Sequence, residues 1–431
     1  MRMSTVLASL LIVFASVGCA GSDRDRAWVL SRLEDRGMTT AGGERVDAPI
    51  AGELDETDVS AVALARSPRF QAELARIDSA RADLDEAGRI ANPQLTLAGP
   101  FGPISALALI LVPLESLWQL PSRTETATRA LESTAETVVQ TGLDVARDAR
   151  LAHVEVLLAQ DRVALRRSLL ELNTEFARIT EVRARLGETT PAEAALARAE
   201  ERTAADALQA GETAIEMTFA RLREQLGLRS EDAIFAVAYR HDPIEPPSAS
   251  ELLRAARASR PDVRGAELAI EMAAARAGWE RTRILTLSAQ VEAQWMAPDR
   301  LGVRVGIRTE LPIFGANPGG IGRADAEVLR LTALLEMVRL RVTTEVIESR
   351  ARLHQSRASL ATYRAEVLPA LDEALRVATR TFEIGEDTYL VVLDALRRVA
   401  SARLLELDLL AESRRAEAEL ERAIGARLEP L

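Results

Sequence analysis

Few side chains in this 431-residue chain have the type and spacing that chemistry needs. The three histidines, His153, His241 and His354, stand far apart, and none belongs to a metal spacing such as His-Glu-x-x-His, so they read as surface or seam residues. The glycine-rich stretches at 99–103 and 315–322 lead into neither a Gly-Lys-Ser/Thr phosphate loop nor a dinucleotide site, and read as strand ends. No serine or cysteine nucleophile occupies a recognisable catalytic setting, so neither an enzyme nor a cofactor is expected. Two carboxylates stand out by position: Glu193 follows Gly187 by six residues, and Asp394 follows Gly385 by nine. Either is a solvated helix face or a favourable charge near a helix N-terminus. Alternatively, carboxylates repeated around a tube concentrate negative potential at its mouth and favour cations. On the residues alone the two readings stand level.

Cys19 is the only cysteine, which excludes an intrachain disulfide and a cysteine-based metal site. Before it come Arg2, an apolar stretch from Val6 to Ala15, and Ser16-Val17-Gly18, the order of a signal peptide over residues 1–18. The cysteine sits where a bacterial lipoprotein is acylated, although Ser16 replaces the usual leucine, and lipidation is expected there. The alternative is an ordinary secretory signal. The stretch is too short to span a membrane as a helix.

The elements that must position the two carboxylates come in duplicate. Gly187 and Gly227 reappear as Gly385 and Gly425, both at an offset of 198 residues, and Arg66-Ser67-Pro68 is answered by Ser259-Arg260-Pro261. Two copies this long are too few for a solenoid of short modules. The chain is 48% hydrophobic but only 3% aromatic, and is dominated by Ala, Leu, Arg and Glu, as long, closely packed helices are. A net charge of −11 with no basic stripe excludes nucleic acid as a partner.

Within the first repeat (57–240), after a linker over 19–56, helical periodicity begins near Asp55 or Thr57 and is expected to run to about Ala91. A β-hairpin follows at 92–113. From Pro121 to about Leu186 the pattern is almost unbroken helix, with a heptad seam through Leu131, Ala135, Val138, Gly142, Val145, Ala149, Ala152, Val156, Ala159 and Val163. A turn at Gly187-Glu188 leads into a returning helix from Pro191 to Leu226. A proline-rich linker (241–248) joins the second repeat (249–431), with a hairpin at 285–314, a seam through Ile347, Ala351, Ala358, Ala361, Ala365 and Leu368, a turn at Gly385-Glu386, and a helix from about Thr388 to Ile424. Pro369 falls inside the second long helix and predicts a kink. In the second hairpin Val303, Val305, Ile307, Thr309 and Leu311 alternate with Arg304, Gly306, Arg308 and Glu310, so one face is apolar and the other charged, as in a soluble sheet or in a barrel strand between lipid and water.

The order of elements resembles the TolC family of bacterial outer membrane efflux proteins over about residues 55 to 427. The resemblance rests on Asn92-Pro93, Leu311-Pro312-Ile313-Phe314 before Gly319-Gly320-Ile321, Leu368-Pro369, and above all Phe382-Glu383-Ile384-Gly385 followed by Val391-Val392-Leu393-Asp394-Ala395. It implies a mainly α fold with a small β part: a long-helix coiled-coil α-barrel, and hairpins contributing four strands to a trimeric twelve-stranded transmembrane β-barrel. It implies a homotrimer in outer membrane lipid, a passive efflux conduit that docks through Gly187, Glu188, Gly385 and Glu386 onto a periplasmic adaptor and an inner membrane RND-type pump. Asp394 matches an acidic position at the family's periplasmic entrance, while Val391 stands where some members carry aspartate, with Glu193 available from the other repeat. The rival is a periplasmic coiled-coil scaffold or adaptor-like protein without a pore.

Overall fold

The computed structural model describes residues 23–40, 53–100, 104–229, 236–237, 239, 245–296, 300–313 and 315–428. The signal peptide, Cys19 with the rest of 19–22, and 41–52 of the 19–56 linker lie outside the described residues, as do Phe314, 241–244 of the inter-repeat linker and the tips of both hairpins. The helices are α1 (Arg26–Glu34), α2 (Glu56–Arg66), α3 (Pro68–Ala87), α4 (Glu115–Leu186), α5 (Pro191–Leu226), α6 (Ala249–Ser259), α7 (Pro261–Thr282), α8 (Pro318–Thr362), α9 (Leu368–Glu383) and α10 (Tyr389–Ile424). The strands are β1 (Glu53–Leu54), β2 (Gln94–Ala98), β3 (Ile104–Pro113), β4 (Ala236–Val237), β5 (Leu287–Met296) and β6 (Arg300–Thr309). These divide into two compact units, one holding Glu73–Val138 and Pro261–Arg339 with the described residues up to Val29, the other Leu30–Ala72, Val139–Arg260 and the described residues from Leu340 on.

The first unit contains a four-stranded antiparallel sheet in the order β2-β3-β5-β6. Register places Ala289 opposite Ile307, Val291 opposite Val305, Ala293 opposite Val303 and Trp295 opposite Leu301, so one face of the hairpin is an unbroken apolar ladder. Ile110 opposite Val291, and Leu95 opposite Ile110, carry that face onto β3 and β2. On the other face Gln290 meets Gly306 and Glu292 meets Arg304, but β3 adds Leu107, Leu109 and Leu111 there. Three strands have ten residues, within the length a tilted membrane strand needs, whereas β2 has five.

The second unit is built from long helices. All of the expected first seam is buried except half-buried Ala152. Of the expected second seam Leu368 is buried, but Ile347, Ala351, Ala358, Ala361 and Ala365 are exposed in the single chain, and the buried stripe before Leu368 is Val342, Val346, Ser349, Leu353, Ser356 and Leu360. Serine fits a close seam because its hydroxyl is satisfied within its own helix: Ser349 Oγ donates to the Glu345 carbonyl and Ser356 Oγ to that of Leu353.

Other differences have local causes. The helix expected from Asp55 to Ala91 is two helices, because Pro68 forces Ser67 into an extended conformation (ψ 121°), and it stops at Ala87. Asp55 does cap α2, in a capping box with Asp58. The long helix α4 begins at Glu115, enclosing Pro121 in its early turns. Within the linker residues, β1 pairs in parallel with β4. Pro369 lies in the first turn of α9, directly after a π-helical turn at Tyr363–Val367, where the Leu368 N–H bonds to the Tyr363 carbonyl. A proline supplies no N–H to the ladder, and a π-turn is where a helix absorbs such a defect.

The returning helices end against the helix breaks of their own repeats. Gly227 and Gly425 adopt positive φ (66° and 78°), and a Cβ on Gly227 would lie 2.5 Å from the Arg66 carbonyl oxygen. In the second repeat Ser259 Oγ donates to the Ile424 carbonyl, and the buried Arg260 guanidinium to those of Arg422 and Ala423 and to Glu345 at 3.0 Å. An ionic layer continues from there: Arg422 bridges Asp144 and Glu345, Arg150 pairs with Glu421, and Arg357 with Glu417.

Candidate functional site

The two glycine turns of the second unit share one backbone solution. The Gly187 N–H bonds to the Ala184 carbonyl and the Glu188 N–H to that of Arg183; 198 residues later Gly385 bonds to Phe382 and Glu386 to Thr381. This double closure ends a helix with a left-handed residue, and φ is 77° at Gly187 and 82° at Gly385. A Cβ on Gly187 would meet nothing within 4 Å, so backbone conformation rather than crowding selects glycine there.

Beneath the turns Tyr389, fully buried, packs its ring between Phe176 (centroids 6.3 Å apart) and Phe382 (6.2 Å), joining the first repeat's long helix to both helices of the second. Its hydroxyl has no hydrogen-bond partner among the described residues, and burial, with the Glu200 charge second, pushes the phenol up to about 12. Arg183 crosses from α4, lies 4.8 Å from the Phe382 ring centroid, donates to the Phe382 carbonyl and pairs with Glu188 at 3.4 Å. Neither Arg183 nor Tyr389 stands out in sequence, although a tyrosine opening a helix in a chain this poor in aromatics is a signal of sorts.

The two expected carboxylates take different partners. Glu193 is half-buried in a capping box, accepting from the Thr190 N–H at 3.2 Å and from the Thr189 hydroxyl, so it fixes the start of α5. Asp394 projects from α10 with two thirds of its side chain exposed and, among the described residues, pairs with Arg398 at 2.8 Å. By the 198-residue offset Glu193 corresponds to Val391, and Asp394 to Leu196. Glu188 and Glu386 are exposed, and around them Leu186, Ile384, Leu390 and Val391 leave apolar side chains in solvent. Among the described residues no helix is long and apolar enough to cross a membrane, and no cluster of His, Cys, Asp and Glu is arranged to hold a metal.

On the sheet, Val305, Ile307, Leu301 and Val303 of β6 and Leu95 and Leu97 of β2 are more than half exposed, all on the apolar face. In one protomer this face is uncovered, and β2 and β6 have open edges.

Residues 252–426 match the family model described as outer membrane efflux protein. Over 375 residues the chain is 27% identical to the cobalt-zinc-cadmium resistance protein CzcC of Cupriavidus metallidurans, covering 85% of this chain and 89% of that one. Among solved structures it superposes on CusC (TM-score 0.74, 17% identity, 89% of this chain and 96% of that one) and on the outer membrane protein VceC of Vibrio cholerae (TM-score 0.74, 17% identity, 87% and 97%).

Proposed function

We propose that this chain, which belongs to the outer membrane efflux protein family, is the outer membrane channel of a tripartite efflux system, a passive conduit that docks onto a periplasmic adaptor and an inner membrane RND-type pump. The observation that carries this reading is the sheet: an uncovered apolar ladder on one face, the polar and charged residues of β5 and β6 on the other, and two open edges. Closure within a bilayer satisfies all three, since lipid covers the apolar face and strand pairing between chains removes the edges. Three chains then supply the twelve strands of one barrel. In this reading the channel is passive and the pump drives export.

The glycine turns are the adaptor-facing end in this reading. Gly187 and Gly385 set the reversal, Glu188 and Glu386 flank it, and the exposed Leu186, Ile384, Leu390 and Val391 offer apolar contact to a partner. Asp394, exposed and held by one neighbour on its own helix, is the entrance carboxylate, whereas the capping role of Glu193 places it second. The N-terminal cysteine, Cys19, adds a lipid anchor. Pro369 and its π-turn form the point at which the second long helix bends.

Fractionation tests this directly. The protein is expected in the outer membrane fraction, extracted only with detergent, and cross-linked as a trimer; a soluble monomer contradicts the proposal. Asp394→Ala should weaken block of the channel by divalent cations, and unchanged block returns Asp394 to a solvated helix face.

A further inference from the structure

The polar face of the sheet carries a charge pattern that its neighbours on the strand expose. Along β6 the residues on that face are Arg300, Gly302, Arg304, Gly306 and Arg308, three arginines at every fourth position with glycine between. At about 3.3 Å per residue, successive guanidiniums originate about 13 Å apart. Gly306 leaves room for the Gln290 side chain opposite, 3.4 Å from where a Cβ would stand, so nothing bulky on β6 separates the arginines. All three are exposed.

Counter-charge is scarce. Among the residues of the four strands the one carboxylate is Glu292, which accepts from Arg304 at 2.9 Å and also from the Gln294 amide. Arg308 faces Ser288 across the ladder and Arg300 faces Met296. Three guanidiniums therefore stand against Glu292 within the strands, with the exposed Glu310 on the same face just past the end of β6, and β2 and β3 add no charge.

We propose that Arg300, Arg304 and Arg308 make the β part of the channel select anions. This rests on the channel reading, because it takes the polar face to be the lumen. Three chains then place three guanidiniums at each of three levels on a low-dielectric wall, the arrangement by which arginine rings favour anions. Each level lies beyond the screening distance of the next, about 8 Å at physiological salt, so they act as successive sites. The solute class that passes most readily is a small anion, such as a carboxylate.

The test is the reversal potential of the full-length trimer in a planar bilayer under a tenfold KCl gradient. The native protein is expected to reverse on the chloride side, Arg304→Gln with Arg308→Gln to bring the chloride-to-potassium permeability ratio below one, and Glu292→Gln to raise it. Trimer elution of each variant confirms assembly. A native channel that reverses on the potassium side overturns the proposal, as does a ratio that ignores the arginine pair or moves with Asp394→Ala instead. A trimer that conducts nothing contradicts the channel reading itself, and the inference falls with it.

Discussion

Changing Tyr389 to phenylalanine should tighten the glycine-turn end of the helices, while changing it to alanine should loosen the same region. The ring is fully buried between Phe176 and Phe382, and its hydroxyl has no partner among the described residues. A buried hydroxyl without a hydrogen bond costs about 1–3 kcal/mol, so Tyr389→Phe removes that cost and keeps both ring contacts. Tyr389→Ala removes the ring and leaves a cavity, at about 3–5 kcal/mol for an aromatic core residue. Because about 1.4 kcal/mol is a factor of ten in an equilibrium constant, local opening should become about 5- to 100-fold rarer in the phenylalanine variant and about a hundredfold to a few thousandfold commoner in the alanine variant. Hydrogen-exchange mass spectrometry of the trimer in detergent reads this on peptides covering 176–186 and 389–396. Faster exchange in Tyr389→Phe would mean that the hydroxyl is bonded after all, and would refute the reasoning.

The remaining predictions concern charge and backbone. Burial holds His153 below the usual histidine range, reinforced by the Arg414 and Arg150 charges and opposed by the Leu54 carbonyl and Glu56; Nε2 donates to the Leu54 carbonyl at 3.2 Å and Nδ1 has no partner among the described residues, so the ring folds neutral. A depressed folded value means that the unfolded chain takes the proton first, so this contribution is whole above about pH 6.5 and is lost as pH falls through the folded value. Melting temperature should therefore drop from about pH 7.5 to about pH 5.5 in the native protein, and less in His153→Gln. Arg150→Met should cost about 3–5 kcal/mol by stranding buried Glu421, and adding Glu421→Leu should recover much of it; additive losses in thermal melts would contradict the pairing. Gly187→Ala and Gly385→Ala should each cost about 1–2 kcal/mol at positive φ and speed proteolysis at the turns, with asparagine milder; equal tolerance of alanine and asparagine would count against the left-handed turn.

The long helices, the hairpins and the four glycine stops were legible because each has a strong local signal: sustained heptad spacing, alternation, and glycine where φ must be positive. The first seam was readable from hydrophobicity since Leu131, Val138, Val145 and Val156 lie on it. The second was misplaced by one face because its buried positions include Ser349 and Ser356 while Ile347 points outward, and in a seam of small residues hydrophobicity does not set the phase. The break at Ser67 was signalled by Pro68 but masked by apolar periodicity that continues on both sides. The β1–β4 pair is two residues long on each side, too short for any period to register. At the candidate site, sequence placed Glu193 and Asp394 together, and only the fold separates a helix-capping carboxylate from an exposed one. Arg183 and Tyr389 act through contacts with residues about two hundred positions away, which spacing does not reveal.

Three of these chains are proposed to close one continuous pore, and purified trimer reconstituted into planar bilayers reads that pore out. Discrete, stable conductance steps that depend on the trimer and change in size or divalent block with Asp394→Ala are expected. A correctly assembled trimer that inserts into the bilayer without passing ions would contradict the proposal.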